Sequence, residues 1–120
     1  MTKPISRVMH GILTDYPYIA TVSSAPKLLG FEDEEKAALL CRLLSGTILV
    51  SSILTRAEWG WLKVMPYKMH LALDTLGGVT ALSAPFALGF SKNPRARNFF
   101  LAIGVFGLIA GLLSDPEEMS

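Results

Sequence analysis

The chain has almost no cysteine, no excess of either charge and few charges altogether. Among its 120 residues stands a single Cys41, which excludes an internal disulfide and a cysteine-based zinc site. Flanked by Leu40 and Arg42 in an apolar run, it reads as a small packing residue. Eleven Lys and Arg face ten Asp and Glu for a net charge of +1, too little for the basic stripe of a nucleic-acid binder. The first residues, Met1 to Leu13, lack the unbroken apolar region and small-residue cleavage site of a signal peptide, so they read as mature sequence. Nothing resembles a nucleophile–base pair, a phosphate loop or a zinc helix. No catalytic residue, no metal ligand set and no resident cofactor is assigned, and the chain is not expected to be an enzyme.

What the chain does have is apolar length. Half its residues are hydrophobic (51%) and its mean hydropathy is +0.43, while charged residues make up 18% against about 25% in an ordinary globular domain. The charges gather at Glu32 to Lys36, Arg56 to Lys68, Lys92 to Arg97 and Asp115 to Glu118. Leu101 to Leu113 has no polar side chain at all. A helix in water keeps one polar face, so this pattern points to lipid as the solvent.

The chain also repeats itself. His10 to Phe31 (HGILTDYPYIATVSSAPKLLGF) returns as His70 to Phe90 (HLALDTLGGVTALSAPFALGF). Sliding the first copy along the chain lays Asp15 on Asp74, Thr21 on Thr80, Ser24-Ala25-Pro26 on Ser83-Ala84-Pro85, and Leu29-Gly30-Phe31 on Leu88-Gly89-Phe90, all at one offset. Roughly half the positions from Asp15 to Phe31 match, beyond chance for so short a chain. Each copy is followed by charges and a second apolar run. The expectation is one membrane domain over residues 1–120, all-α, with four transmembrane helices as two tandem hairpins. Repeat 1 covers about 10–55 and repeat 2 about 69–114.

The expected spans are Gly11 to Phe31, Ala37 to Thr55, Pro66 to Ala84 and Asn98 to Leu113. Nineteen residues, as in the second, rise roughly 28 Å, close to the roughly 30 Å hydrocarbon core. Pro26 and Pro85 kink or end their helices, with Gly30 and Gly89 as stops. Trp59, Trp61 and Tyr67, interleaved with Arg56, Lys63 and Lys68, read as interfacial anchors. Gly104, Gly107 and Gly111 share a helical face suited to close helix packing. Lys3, Arg7, Arg56, Lys63 and Lys68 on one side outnumber Lys36, Lys92, Arg95 and Arg97 on the other, which leans both termini toward the cytoplasm.

Four polar residues fall in or beside the spans: Asp15, Arg42, His70 and Asp74. Intramembrane charges are costly and are functional candidates by default. Asp15 precedes Tyr16-Pro17 and could cap its helix at the surface. His70 and Asp74, four apart, share a helical face, as a proton relay, a ligand-holding pair or a plain packing contact. Arg42 either pairs with Asp15 or Asp74 or snorkels outward, since unpaired at mid-bilayer it would cost at least about 2.5 kcal/mol. His10 resembles His70, but with Gly11 aligned to His70 the two histidines are one residue out of register; both are expected near a surface. Ser23, Ser24, Ser51 and Ser52 read as interhelical hydrogen-bonders.

At the duplicated motif the chain resembles the small bacterial membrane proteins called SPW-repeat proteins, whose repeats carry Asn or Asp, Gly, Ser-Pro-Trp and Gly-Phe. The second copy offers Asp74, Gly78, Ser83, Pro85, Gly89 and Phe90; the first offers Asp15, Ser24, Pro26, Gly30 and Phe31. It departs where Ala25 and Ala84 separate Ser from Pro, and where Lys27 or Phe86 replaces Trp. The resemblance implies a four-span protein of the bacterial inner membrane and brings no activity with it. The expected role is structural: an accessory subunit of a larger membrane complex, or a self-associating protein, in contact with the lipid bilayer. Two alternatives stand beside it. One is a proton- or ion-conducting homo-oligomer using Asp74, His70 and Arg42. The other is a haem- or chlorophyll-bearing accessory subunit using His70 or His10.

Overall fold

In the computed structural model, which describes residues 3–119, every regular element is helical. Four rods follow one another. The first runs without a break through α1 (Arg7–Met9), a π-helical stretch (His10–Asp15) and α2 (Tyr16–Leu28); the others are α3 (Glu35–Leu54), α4 (Tyr67–Ala87) and α5 (Pro94–Leu113). Ser6 starts the first rod by accepting from Met9 N, and Asn93 starts α5 by accepting from Ala96 N, each satisfying a donor that a helix start leaves open. Pro26 and Pro85 lie inside the last turns rather than ending them. The stops come about one turn later, where Gly30 (φ 74°) and Gly89 (φ 83°) turn the chain in the left-handed region that only glycine enters freely.

Consecutive rods pack as hairpins, α2 on α3 and α4 on α5, and α3 touches both α4 and the π-helical stretch. The apolar core lies toward the hairpin turns and is made of six pairs, each joining positions that align in the two repeats. They are Val22 and Ala81, Ala25 and Ala84, Phe31 and Phe90, Ala37 and Ala96, Cys41 and Phe100, and Leu44 and Ile103. Cys41 is fully buried there as a packing residue.

Among the described residues, two helices are long and apolar enough to cross a membrane: Glu35–Leu54, with mean hydropathy 1.9, and Pro94–Leu113, with 1.8. The first rod is diluted by Arg7, His10, Asp15, Pro17, Pro26 and Lys27, and α4 by Lys68, His70, Asp74 and a run of hydroxyls and glycines. The fourth rod starts at Pro94 rather than near Asn98, so Arg95 and Arg97 lie within its first turn.

The glycine face of α5 is used inside the chain. A Cβ on Gly107 would lie 3.0 Å from the Gly78 Cα, and one on Gly78 would lie 2.8 Å from the Gly104 carbonyl oxygen. Gly111 faces Thr75 and Leu71 in the same way. Backbone meets backbone along the α4–α5 seam, so these glycines do not present an open docking face.

Candidate functional site

At the end of the bundle opposite the hairpin turns, four ionisable side chains meet. His10 and Asp15 come from the first rod, His70 and Asp74 from α4, and their ligating atoms lie within 4.8 Å of one another. His10 and His70 are 0% exposed, Asp15 3% and Asp74 6%. The shortest pairs cross between the rods. His10 Nε2 lies 2.7 Å from Asp74 Oδ2, and His70 Nε2 lies 2.7 Å from Asp15 Oδ2. Within each rod the separations are longer, 3.1 Å for His10–Asp15 and 3.5 Å for His70–Asp74.

The π stretch makes this convergence possible. Asp15 and Asp74 align between the repeats, but His10 falls one position ahead of the place that aligns with His70. The first rod therefore holds one extra residue between histidine and aspartate. An extra residue in an α-helix would swing His10 about 100° around the axis. A π turn closes i→i+5 bonds and absorbs it. His10 and Asp15 at i,i+5 thus present the same pair as His70 and Asp74 at i,i+4. The Thr14 hydroxyl donates to the His10 carbonyl within the π turn.

The outer nitrogens are held crosswise too. His10 Nδ1 lies 2.7 Å from Ser114 Oγ at the end of α5. His70 Nδ1 lies 2.6 Å from Ser51 Oγ and 3.0 Å from Thr55 Oγ1 at the end of α3. Ser114 donates its own proton to the Ala110 carbonyl, and Thr55 donates to the Ser51 carbonyl. With those protons committed, the Ser114 and Thr55 oxygens are acceptors for an Nδ1–H of His10 and His70, while the Ser51 hydroxyl beside His70 Nδ1 is free to donate or accept. The backbone repeats the pattern: Ile5 bonds across to Leu113 and Asp115, and Met65 to Leu54 and Arg56.

Two aromatics close the site. The Trp59 ring centroid stands 5.1 Å from that of His70 and 6.2 Å from that of His10, and Tyr67 meets His10 edge-on at 5.6 Å. Trp59 is pinned by its indole N–H donating to the Arg7 carbonyl at 2.6 Å and by its own carbonyl accepting from the Tyr16 hydroxyl at 2.8 Å. Gly11 leaves room for the indole, since a Cβ there would lie 2.2 Å from it. A mostly apolar cavity of about 190 Å³ reaches the two carboxylates, walled also by Thr14, Tyr18, Thr80 and Phe106. Outside the cluster, Arg7 grips Glu58 through two 2.8 Å bonds, and the guanidinium holds the Glu58 carboxyl down at about 2.

Several expectations are corrected here. Asp15 does not cap a helix at the surface; it is buried mid-rod and makes no side-chain cap bond. Both histidines stand near the starts of their helices, as expected, and both are fully enclosed by the bundle. Of the two places open to it, Arg42 takes the outer one: it is exposed on the outside of α3 and makes no ion pair among the described residues, because its angle around the helix turns it away from the carboxylates. Of the three expected anchors only Trp61 faces outward, 77% exposed, while Tyr67 is fully buried and Trp59 lies over the histidines. Ser23 and Ser24 bond their own helix at the Ala20 carbonyl rather than a neighbour. Sequence reading missed Thr55 and Ser114. The signal was present, since they too align between the repeats and each is the last hydroxyl of its apolar run. No protein-family model, curated protein or solved structure matches the chain.

Proposed function

We propose that this chain is a small integral membrane protein of four transmembrane helices, two tandem hairpins of a duplicated unit, with a structural rather than catalytic role. It self-associates or serves as an accessory subunit of a larger membrane complex. The observation that carries this reading is inverted polarity. Leu39, Leu43, Val50, Leu76, Val105 and Ile109 point outward, while His10, Asp15, His70, Asp74 and the site hydroxyls point inward. Water would reverse that arrangement; hydrocarbon favours it. The long dimension of 46 Å suits a bilayer of about 40–45 Å including headgroups. The six core pairs at one constant spacing support duplication.

The bacterial inner membrane and cytoplasmic termini complete the proposal on the sequence argument alone. The conducting alternative loses one member of its trio, since Arg42 stands apart from His70 and Asp74. The pigment alternative gains nothing, because each Nε2 is hemmed in by carboxylates where a macrocycle would need an open face. The test is membrane extraction with reporter fusions at each loop. We expect carbonate-resistant membrane association, with residues 29–34 and 88–93 on one side and 55–66 on the other. A folded, helical, detergent-free monomer in the soluble fraction would overturn it.

A further inference from the structure

We propose that His10, Asp15, His70 and Asp74 form a binding site for one divalent transition-metal ion of the zinc class, clamping the first rod to α4. The first argument is direction. Nitrogen and oxygen atoms 2.7 Å apart would normally be hydrogen-bonded, yet His10 Nε2, His70 Nε2, Asp15 Oδ2 and Asp74 Oδ2 have no aligned partner among the described residues. One ligating atom from each of the four residues lies within 4.8 Å of the others. That is how ligands are arranged around a central ion.

The second argument is proton placement. Hydroxyl oxygens stand at both Nδ1 atoms, so each imidazole can place its proton on Nδ1 and offer the Nε2 lone pair on the carboxylate side. In that form a cation between Nε2 and the carboxylate oxygens joins what would otherwise repel. Histidine ligated through one nitrogen and hydrogen-bonded through the other is the usual arrangement at a metal. The third argument is charge: two carboxylates stand buried together, where uncompensated charge is costly, and with the imidazoles in their neutral, ligating form one divalent cation balances both.

The donor set selects the ion. Two imidazoles disfavour calcium and magnesium, which take oxygen ligands, and the lack of thiolate disfavours copper(I). Tetrahedral bonds of about 2.0–2.1 Å place neighbouring ligands roughly 3.3 Å apart. The His–Asp separations run from 2.7 to 3.5 Å, with Asp15 turning Oδ1 to His10 and Oδ2 to His70, and one ligating atom from each of the four residues fits within 4.8 Å of the others; an ion would draw this set into its tetrahedron. Four protein ligands complete the tetrahedron, as in structural rather than catalytic zinc sites. The cavity at Asp15 and Asp74 supplies the entry path.

The test uses the full chain, purified in mild detergent with any affinity tag removed. After stripping with a chelator, zinc is added and binding is followed by calorimetry and thermal melting; cobalt(II) is added separately as a spectroscopic probe. We expect one ion per chain, a raised melting temperature and the intense visible bands of tetrahedral cobalt. His10→Ala should abolish binding. Ser114→Ala, which leaves all four ligands in place, should weaken it about 10- to 100-fold and keep the bands. A stripped chain that retains its helicity but shows no zinc binding, no melting shift and no cobalt bands would overturn the site. So would undiminished affinity in both variants. Neither result bears on membrane insertion, which the extraction experiment decides separately.

Discussion

The two hairpins deliver the same His–Asp pair by different means. In α4 the pair is four residues apart on a regular helix; in the first rod it is five apart on a π turn. The seams differ as well. Gly78, Gly104, Gly107 and Gly111 close the α4–α5 seam backbone to backbone. The residues that align with them in the first repeat are Ile19, Ser45, Ile48 and Ser52, which fill the first hairpin with side chains. What both halves keep is the end of the bundle that meets the other half: histidine, aspartate and the hydroxyl that closes the opposite repeat. The geometry that is held constant is the geometry of contact between halves, and each hairpin reaches it with its own packing.

Removing one member of the shared centre should have the largest effect. His70→Ala leaves Asp15 buried beside fewer partners, and losing one side of a buried pair costs about 3–5 kcal/mol. Chemical unfolding in detergent, followed by circular dichroism, measures it. Next comes the glycine seam. Gly107→Leu drives a side chain into the Gly78 backbone and should cost about 1–3 kcal/mol or more. Gly46→Ala, with nothing within 4 Å of the added carbon, should be neutral or stabilising by up to about 1 kcal/mol. Equal effects at the two sites would show that the close backbone approach at Gly107 carries no special cost.

The π turn offers a smaller and sharper change. Deleting the exposed Leu13 brings His10 and Asp15 to the α4 spacing, so the first rod should become a regular helix with its centre intact. Stability should then change by no more than about 1 kcal/mol, within the range of ordinary single changes. Deleting Leu73 removes a residue from a pair already at α-helical spacing and should behave like loss of the centre. Smallest is the exposed Arg7–Glu58 pair. Its carboxylate titrates at about 2 when folded against an ordinary 4.5. A depressed folded value means the contribution is present above about 4.5 and is lost as pH falls toward 2. On this exposed pair it should be slight and should weaken with salt. Comparing Glu58→Gln with the parent at pH 7 and pH 3 checks it.

Much of this was legible in the sequence. The recurring stretch pointed to paired helices, and the glycine stops at Gly30 and Gly89 could be read from residue type alone. Asp15, His70 and Asp74 stood out because charge is scarce in apolar runs. The partner of the carboxylates was left open. Arg42 is the nearest opposite charge by composition, but partner choice depends on the angle around the helix, and Arg42 points outward. His10 was discounted because one extra residue puts it out of register, and a π turn leaves no composition signature. Trp59 and Tyr67 carry the same amphipathic signature whether they face headgroups or an imidazole, so their inward direction follows only from tertiary packing.

The most direct test of the account is a double-mutant cycle between His10→Ala and Asp74→Ala, which sit on different rods in opposite repeats and lie 2.7 Å apart in the fold. The unfolding free energies of the parent, both single variants and the double variant are measured in the same detergent. A coupling above about 1 kcal/mol is expected for groups in one buried network. Additivity within about 0.3–0.5 kcal/mol is the behaviour of distant, independent sites, and it would contradict the crosswise centre on which the account rests.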